Sequence, residues 1–240
     1  AMTTNTAGGT KNIAIGNYAL DALTSGDTNT AVGHNAMTLH TTGANNVAVG
    51  ERALAASTTG AQNTAIGGTA LIALTTGASN TAVGYAAASA TTTAANNTAV
   101  GSQAGIVVTT GSDNTLIGDG AGDALTTGTN NVALGSAALS AEDTRSDSIA
   151  IGYRALTAQN ADTANAYNVA IGTDAALSLT TGNRNVYVGA LSGDANTTGD
   201  GNTAVGHNTL STNTHSENNV AVGYEALKTF NVGSGSGYNT

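Results

Sequence analysis

A short pattern of polar and β-branched positions recurs along the whole chain. In its best example Asn29 is followed by Thr30, Ala31 and Val32, and Gly33 closes the copy. β-Branched residues at alternate positions, bounded by Asn and Gly, predict a short β-strand. The glycines that close the 13 copies are Gly16, Gly33, Gly50, Gly67, Gly84, Gly101, Gly118, Gly135, Gly152, Gly172, Gly189, Gly206 and Gly223.

The spacing of these glycines is almost constant. The numbers of successive closing glycines differ by 17, as from Gly33 to Gly50, except for a single difference of 20 between Gly152 and Gly172. A fixed period of this length is typical of a solenoid in which each copy forms one coil. We therefore predict an all-β fold, a parallel β-solenoid of 17-residue coils.

The same period predicts how the chain is organised. We expect an array of 13 repeats without an internal domain boundary, cut from a longer array. The expected segments are a vector remnant at 1–2, the tail of a preceding repeat at 3–11, the array at 12–233 with a lengthened coil near 157–168, and the start of a further repeat at 234–240.

Asn stands four positions before the closing Gly in 12 of the 13 copies, and Ser148 is the exception. Stacked coils would place these Asn residues above one another, so that their amides could form a hydrogen-bonded ladder. A turn preference of Asn explains the pattern equally well, and the two explanations are compatible. The positions that we assign to the structural repeat are Asn29, Ala31, Val32, Gly33, Asn46, Val49, Gly50, Asn80, Val83 and Gly84.

The part of each copy after the Gly is harder to interpret. An Ala-Leu pair such as Ala53-Leu54 follows the Gly, and this pattern fits either a second strand or a single helical turn. A Thr-Thr-Gly segment such as Thr41-Thr42-Gly43 comes next and predicts a turn in which Gly supplies a positive φ.

Two unusual copies indicate which positions touch. Leu116 and Tyr187 replace the Ala of the strand, and both copies carry Gly (Gly122 and Gly193) where Leu is usual. A large residue opposite a small one suggests that the Ala side of the strand is packed inside the coil. The other side of the strand carries Val, Ile and Thr and needs cover as well. One coil has one interior, so we expect further copies of the chain to provide that cover.

Composition and charge exclude several classes of function. The chain has no Pro, Cys or Trp, only six Lys and Arg, and a net charge of −9. Scattered cations form no basic stripe, so we expect no nucleic-acid partner. No 18-residue apolar run is present, so we expect no membrane insertion in this segment. A surface of Thr, Asn, Ser and Gly is typical of extracellular proteins.

Candidate chemistry is sparse. His34 and His207 lie at a variable position after the Gly, and we expect them, with His40 and His215, to be solvated surface residues. Paired acids can hydrolyse polysaccharides, but we expect the carboxylates to keep the protein soluble. We therefore expect no enzymatic activity, no cofactor and no metal. The acids in question are Asp113, Asp119, Asp123, Glu142, Asp143 and Asp147.

Exposed Tyr side chains are the candidates for surface contact. Tyr85, Tyr153 and Tyr224 directly follow a closing Gly, where side chains should point outward, and Tyr rings suit contact with sugars or proteins. The lengthened coil around Gln159 to Tyr167 should protrude and is the best candidate for a specific contact.

The segments at 148–156 and 219–227 and the Thr-Thr-Gly turns resemble the head repeat of YadA-type trimeric autotransporter adhesins and the repeats of phage and bacterial tail fibres. The resemblance implies a left-handed homotrimer at a virion or bacterial cell surface, in contact with a host glycan or protein. The adhesin repeat is shorter, which favours the tail-fibre branch. We therefore expect a structural segment of an extracellular attachment fibre.

Two alternatives remain. The first is an ice-binding β-solenoid, although the exchange of Thr with Val and Ile before the closing Gly is typical of a buried position. The second is a fibre-borne polysaccharide hydrolase.

Overall fold

The computed structural model describes residues 9–141, 144–159, 165–230 and 239. These residues form 13 three-residue strands, and none of them lies in a helix. The chain divides into two compact units, Ala1–Asp119 and Gly120–Thr240. Each unit is a parallel β-solenoid, which confirms the predicted fold class. The expected remnant at 1–2, most of the preceding tail and most of 234–240 lie outside the described residues.

The first unit contains seven strands. Each pairs in parallel with the next, and paired residues such as Ile13 and Thr30 are one repeat apart. The strands are β1 (Ile13–Ile15), β2 (Thr30–Val32), β3 (Val47–Val49), β4 (Thr64–Ile66), β5 (Thr81–Val83), β6 (Thr98–Val100) and β7 (Thr115–Ile117).

The second unit contains six strands in the same parallel arrangement. The lengthened step leaves the register intact, because Ile149 of β9 pairs with Val169 of β10. The extra residues are therefore accommodated outside the strands. Residues 160–164 of the lengthened coil lie outside the described residues. The strands are β8 (Val132–Leu134), β9 (Ile149–Ile151), β10 (Val169–Ile171), β11 (Val186–Val188), β12 (Thr203–Val205) and β13 (Val220–Val222).

Only the middle residue of each strand points into the coil. Ala31 and Ala48 are fully buried, whereas their strand neighbours are half-buried. This follows from the alternation of side chains along a strand. The interior is completed by buried Ala-Leu pairs such as Ala53 and Leu54. A core of Ala and Leu one residue wide needs no large aromatic side chain.

The closing glycines stack on one another, and this explains why no other residue replaces them. Gly50 has a φ of 135°, and a Cβ atom on it would lie 2.5 Å from the carbonyl oxygen of Gly67 in the next coil. Both the left-handed backbone and the lack of space exclude a side chain. Gly16 and Gly67 lie against the next glycine in the same way.

The Ala-Leu segment is neither a strand nor a helical turn. It consists of turns whose alternate residues are left-handed, as in Arg52 (φ 58°) and Leu54 (φ 51°). Backbone hydrogen bonds still join successive coils here, since Leu54 N donates to Ala70 O at 3.1 Å. Because such φ values are costly for residues with a Cβ atom, stacking between coils must stabilise them.

The expectation for Thr-Thr-Gly is wrong in one respect. Gly43 does not have a positive φ, and the left-handed residue is Asn45, two positions later (φ 60°). Gly is needed at position 43 because a Cβ atom there would overlap the carbonyl oxygen of Gly60. The constraint is the close approach of two coils and not the turn conformation.

The packing inferred from the two unusual copies is confirmed for Tyr187. Its ring is buried and fills the space beside Gly193. Leu116 provides a further case, because its Cδ1 lies 2.7 Å from the Cβ position of Gly105 in the preceding coil. Gly105 is the third glycine that stands where Leu is usual, so it also has a large partner.

Candidate functional site

The Asn residues before each strand form the predicted ladder. Oδ1 of Asn29 accepts hydrogen bonds from the backbone N and the side-chain Nδ2 of Asn46, both at 3.0 Å. Nδ2 of Asn46 also donates to Gly60 O in the next coil at 2.9 Å. Fully buried amides therefore have partners within the ladder. These bonds hold adjacent coils in register and fix the outer face of the strands.

Ser148 interrupts the Asn ladder, and the side chain of Gln159 bridges the gap with hydrogen bonds. Nε2 of Gln159 donates to Ser148 Oγ at 2.9 Å, and Oε1 of Gln159 accepts a bond from Asn168 Nδ2 at 3.0 Å. The shorter Ser side chain is thus extended by the buried amide of Gln159. This repair lies where the lengthened coil begins.

Arg145 is a second departure from the repeat pattern, in the coil that contains Ser148. It stands where other coils have Gly, such as Gly128 and Gly182, and its side chain is fully buried. Nη1 donates to Thr180 O at 3.1 Å, and Nη2 donates to Asn183 Oδ1. In the first unit the corresponding carbonyl accepts a backbone N–H, as in the bond from Thr41 N to Thr58 O at 2.8 Å. The Arg145 side chain therefore takes the place of a backbone hydrogen bond between coils.

A surface depression of about 240 Å³ lies beside these residues in the second unit. Its lining residues are Asn165, Tyr167, Asn183 and Arg184. Asn165 Nδ2 donates to the Tyr167 hydroxyl at 2.7 Å, and Arg184 N donates to Ala166 O at 2.8 Å. The depression therefore lies where the lengthened coil rejoins the regular repeat.

Sequence reasoning identified Tyr167 and the lengthened coil, but it missed Arg145, Asn183 and Arg184. One signal was available. Arg145 departs from the Gly of its column, and Arg145 and Arg184, two of the six cations of the chain, fall on either side of the lengthened step. The contact between Arg145 and Asn183 joins positions 38 apart, across the lengthened step.

The predicted surface tyrosines are exposed, but they are not brought together. Tyr85, Tyr153, Tyr167 and Tyr224 expose between 51% and 75% of their surface. Two of the rings have an aromatic or cationic neighbour instead: Tyr224 stacks on His207 at 5.6 Å, and the Arg154 guanidinium lies 5.1 Å from the centre of the Tyr153 ring. The structure thus offers separate aromatic positions and not an aromatic cluster.

The expectation for His40 is wrong. His40 is fully buried in the column that holds Leu23 and Leu74 in other coils. Its Nε2 lies 3.0 Å from Gly43 O, and its Nδ1 lies 3.1 Å from Ser57 Oγ. Burial lowers the pKa of His40, while these two contacts oppose the shift. His34, His207 and His215 are exposed, as expected.

Among the described residues, the carboxylates show no arrangement that points to catalysis. Asp113 is exposed and accepts a bond from Asn96 at 3.0 Å. Burial raises the pKa of Asp194, an acid that sequence reasoning did not single out. Within the described residues, no group of three His or acidic side chains could hold a metal ion. Glu142 and Asp143 lie outside those residues, and the absence of activity stays a prediction.

The outer face of the strands carries no charge. Thr occupies the first position of six strands, and every other outward position is Val, Ile or Leu. Val83 and Val100 are half-buried, whereas Ile66 and Val205 expose 40% and 37% of their surface. The Val and Ile columns thus lie open on the single chain.

Comparison with protein-family models, curated proteins and solved structures found no match to the chain. In the part of the chain that the structure describes, no helix has the length and hydropathy of a membrane span. The strand face and the depression at the lengthened coil are therefore the two candidate functional surfaces.

Proposed function

We propose that this chain is a structural segment of an extracellular attachment fibre and that it assembles as a homotrimer through the outer face of its strands. The uncharged Thr, Val and Ile columns carry this proposal. In the first unit alone they extend over seven strands, roughly 29 Å at the usual strand spacing of about 4.8 Å. An apolar face of this kind on a chain with a net charge of −9 is typical of an interaction surface.

A second copy of the chain is the partner that fits this face best. Any partner must present apolar groups at the same spacing along the strands of each unit, and a copy of the same repeat does so automatically. In an assembly of three copies around one axis, neighbouring copies would cover the outer side of each strand, and the strand's own coil covers the inner side. This agrees with the apolar character of the strand on both faces. The trimeric number comes from the resemblance to fibre and adhesin repeats.

The remaining features suit a shaft. Consecutive coils are joined by backbone bonds, by the Asn ladder and by Thr side chains such as Thr41, whose Oγ1 donates to Thr58 O at 2.9 Å. Each regular coil contacts its neighbours in the same way, so length can be added without changing the local structure. Such a segment provides stiffness and distance, and its outward positions are available for contact with a host surface.

Light scattering tests the assembly. The chain has a mass of 23.2 kDa, so for a trimer the mass measured by light scattering should be three times that value. A double variant, Val83→Lys and Val100→Lys, should give the monomer mass with unchanged circular dichroism, because both side chains point out of the coil. Tyr85→Lys, which adds one positive charge away from the strand face, should remain trimeric, and Val83→Lys alone is its matched single variant on that face. A wild-type chain that stays monomeric would overturn the proposal.

Ice binding is a second candidate, and one observation favours it. Thr30, Thr64 and Thr81 point outward on a regular uncharged sheet and are half-buried, not fully buried. If this face orders water, the purified chain should show thermal hysteresis, and Thr81→Lys should remove it. If hysteresis is absent while the chain is trimeric, the strand face is an interface between copies.

A further inference from the structure

We propose that the depression at the lengthened coil binds a saccharide that carries a carboxylate. This inference rests on the attachment role proposed above and names the chemical class of the ligand. It also identifies which part of an otherwise repetitive surface makes the contact. The residues that carry it are Tyr167, Arg184, Asn165 and Asn183.

The size of the depression limits the ligand to one small unit. Its volume of about 240 Å³ is below the roughly 300–1,000 Å³ of pockets for drug-sized molecules. One sugar ring, presented at the end or along the side of a glycan, is appropriate for this space. A folded peptide segment would need a larger groove.

Tyr167 supplies a flat apolar surface for such a ring. Its side chain is 54% exposed, and its hydroxyl is held by Asn165 Nδ2 at 2.7 Å. A ring with a fixed position loses little conformational freedom on binding, and Tyr combines an apolar face with a polar end. This combination matches a sugar, which has both apolar and hydroxyl-bearing faces.

Arg184 supplies the charge. It follows Tyr167 in the same column, one coil later, and the two segments are joined by the bond from Arg184 N to Ala166 O at 2.8 Å. The Arg184 side chain is 71% exposed and meets Asp200 through one contact of 3.5 Å. A guanidinium has five N–H donors in a planar fork that fits a carboxylate. One long contact to Asp200 leaves that fork able to bind a ligand carboxylate.

The surroundings of Arg184 favour an anion in two further ways. The next residue of its column is Gly201, so the column itself adds no side chain beside the guanidinium. The buried guanidinium of Arg145 donates to Asn183 Oδ1 from behind the depression. Two of the six cations of an acidic chain therefore adjoin Asn183, Arg145 through this bond and Arg184 as the next residue, while the Asp200 carboxylate accepts a bond from Asn183 N at 2.7 Å. Charge-assisted bonds of this type are stronger than neutral ones.

Saturation-transfer NMR and titration calorimetry with defined sugars test the proposal. The probes are sialyllactose and a glucuronic acid disaccharide, each compared with neutral lactose. We expect both acidic sugars to bind, and lactose to bind at least tenfold more weakly. Equal binding of lactose would overturn the carboxylate assignment, and no binding of any probe at millimolar concentration would overturn the site.

Variants locate the binding. Arg184→Ala and Tyr167→Ala should each weaken acidic-sugar binding at least tenfold, while Arg184→Lys should retain part of it. Arg52→Ala and Tyr85→Ala remove an exposed cation and an exposed Tyr elsewhere and should have no effect. Binding that survives Arg184→Ala would place the ligand at another position and overturn the inference. Light scattering separates the two proposals, because a trimer that binds no sugar rejects the site alone.

Discussion

The ring of Tyr187 fills the space that a side chain at Gly193 would need, so these two residues form a large-small pair across the interior of one coil. Leu is usual at the Gly193 position, and Ala is usual at the Tyr187 position. The Tyr hydroxyl in turn accepts a hydrogen bond from Asn196, which stands in the column of Leu23. Three exceptional residues therefore compensate one another.

This pair predicts that the effect of Gly193→Leu on stability changes sign when Tyr187 is replaced by Ala. Gly193→Leu alone should destabilise the chain by about 1–3 kcal/mol through overpacking. Tyr187→Ala alone should cost about 3–5 kcal/mol through the cavity that it leaves. In the background of Tyr187→Ala, however, Gly193→Leu should be stabilising, because Ala and Leu are the usual pair. Thermal unfolding followed by circular dichroism measures all three, and additive effects would contradict the contact.

The strands could be predicted from the sequence because the constant period places every residue type in a column. The Asn, Ala and Gly columns each have one physical cause, namely the amide ladder, the narrow interior and the contact between coils. Gly43 was assigned the wrong cause, since close approach and a positive φ both select glycine. Local pattern alone does not distinguish these two constraints.

The candidate site was harder to predict because it depends on where the period fails. His40 was expected in solvent because its neighbours look like a turn, but its column is buried in every described coil from Leu23 to Asn213. The contacts of Arg145 join positions that are 35 and 38 apart in the chain, a separation that matches no whole number of repeats. No column of the repeat places these positions together.

Gln159 should contribute to the stability of the fold because the side chain of Ser148 is too short to continue the Asn ladder. Gln159→Leu restores the usual residue of its column, but it removes the bonds to Ser148 Oγ and Asn168 Nδ2. We expect a loss of about 1–3 kcal/mol, since buried polar groups lose their partners. Adding Ser148→Asn should recover most of the stability by restoring the regular ladder. If Gln159→Leu alone leaves the melting temperature unchanged, the bridge does not contribute.

Arg145 should stabilise the second unit through its side-chain bonds to the coil that follows the lengthened one. Arg145→Met keeps much of the volume but removes the donors to Thr180 O and Asn183 Oδ1. Hydrogen bonds from charged groups contribute about 1.5–3 kcal/mol each, so we expect a loss of at least about 2 kcal/mol in the free energy of unfolding. Arg52→Met, at an exposed position, is the control. Equal melting temperatures for both variants would contradict this role.

His40 should make the first unit sensitive to mild acid. Burial lowers the pKa of His40 in the folded chain below the ordinary value of 6.5. As the pH falls below 6.5, the unfolded chain therefore binds a proton that the folded chain resists, and stability decreases until the folded-state pKa is reached. The slope can reach about 1.4 kcal/mol per pH unit.

The control variants isolate this effect from the other titrating groups. His40→Leu introduces the residue found at Leu23 and Leu74, and it should flatten the dependence of the melting temperature on pH between about 6.5 and the folded-state pKa. His215→Asn, at an exposed position, should leave the wild-type dependence intact. A His40→Leu variant with the wild-type pH profile would show that His40 is not the responsible group.

Thr91 and Thr92 are neighbours in sequence, but the same substitution should affect them in opposite directions. Thr91 is fully buried in the column of Leu74, and among the described residues its Oγ1 has no hydrogen-bond partner. Thr92 Oγ1 donates to Thr109 O at 3.2 Å. A buried hydroxyl without a partner costs about 1–3 kcal/mol, whereas a hydroxyl that makes a bond is favourable. Thr91→Val should therefore raise the melting temperature and Thr92→Val should lower it, and a decrease for both would show that Thr91 bonds in solution.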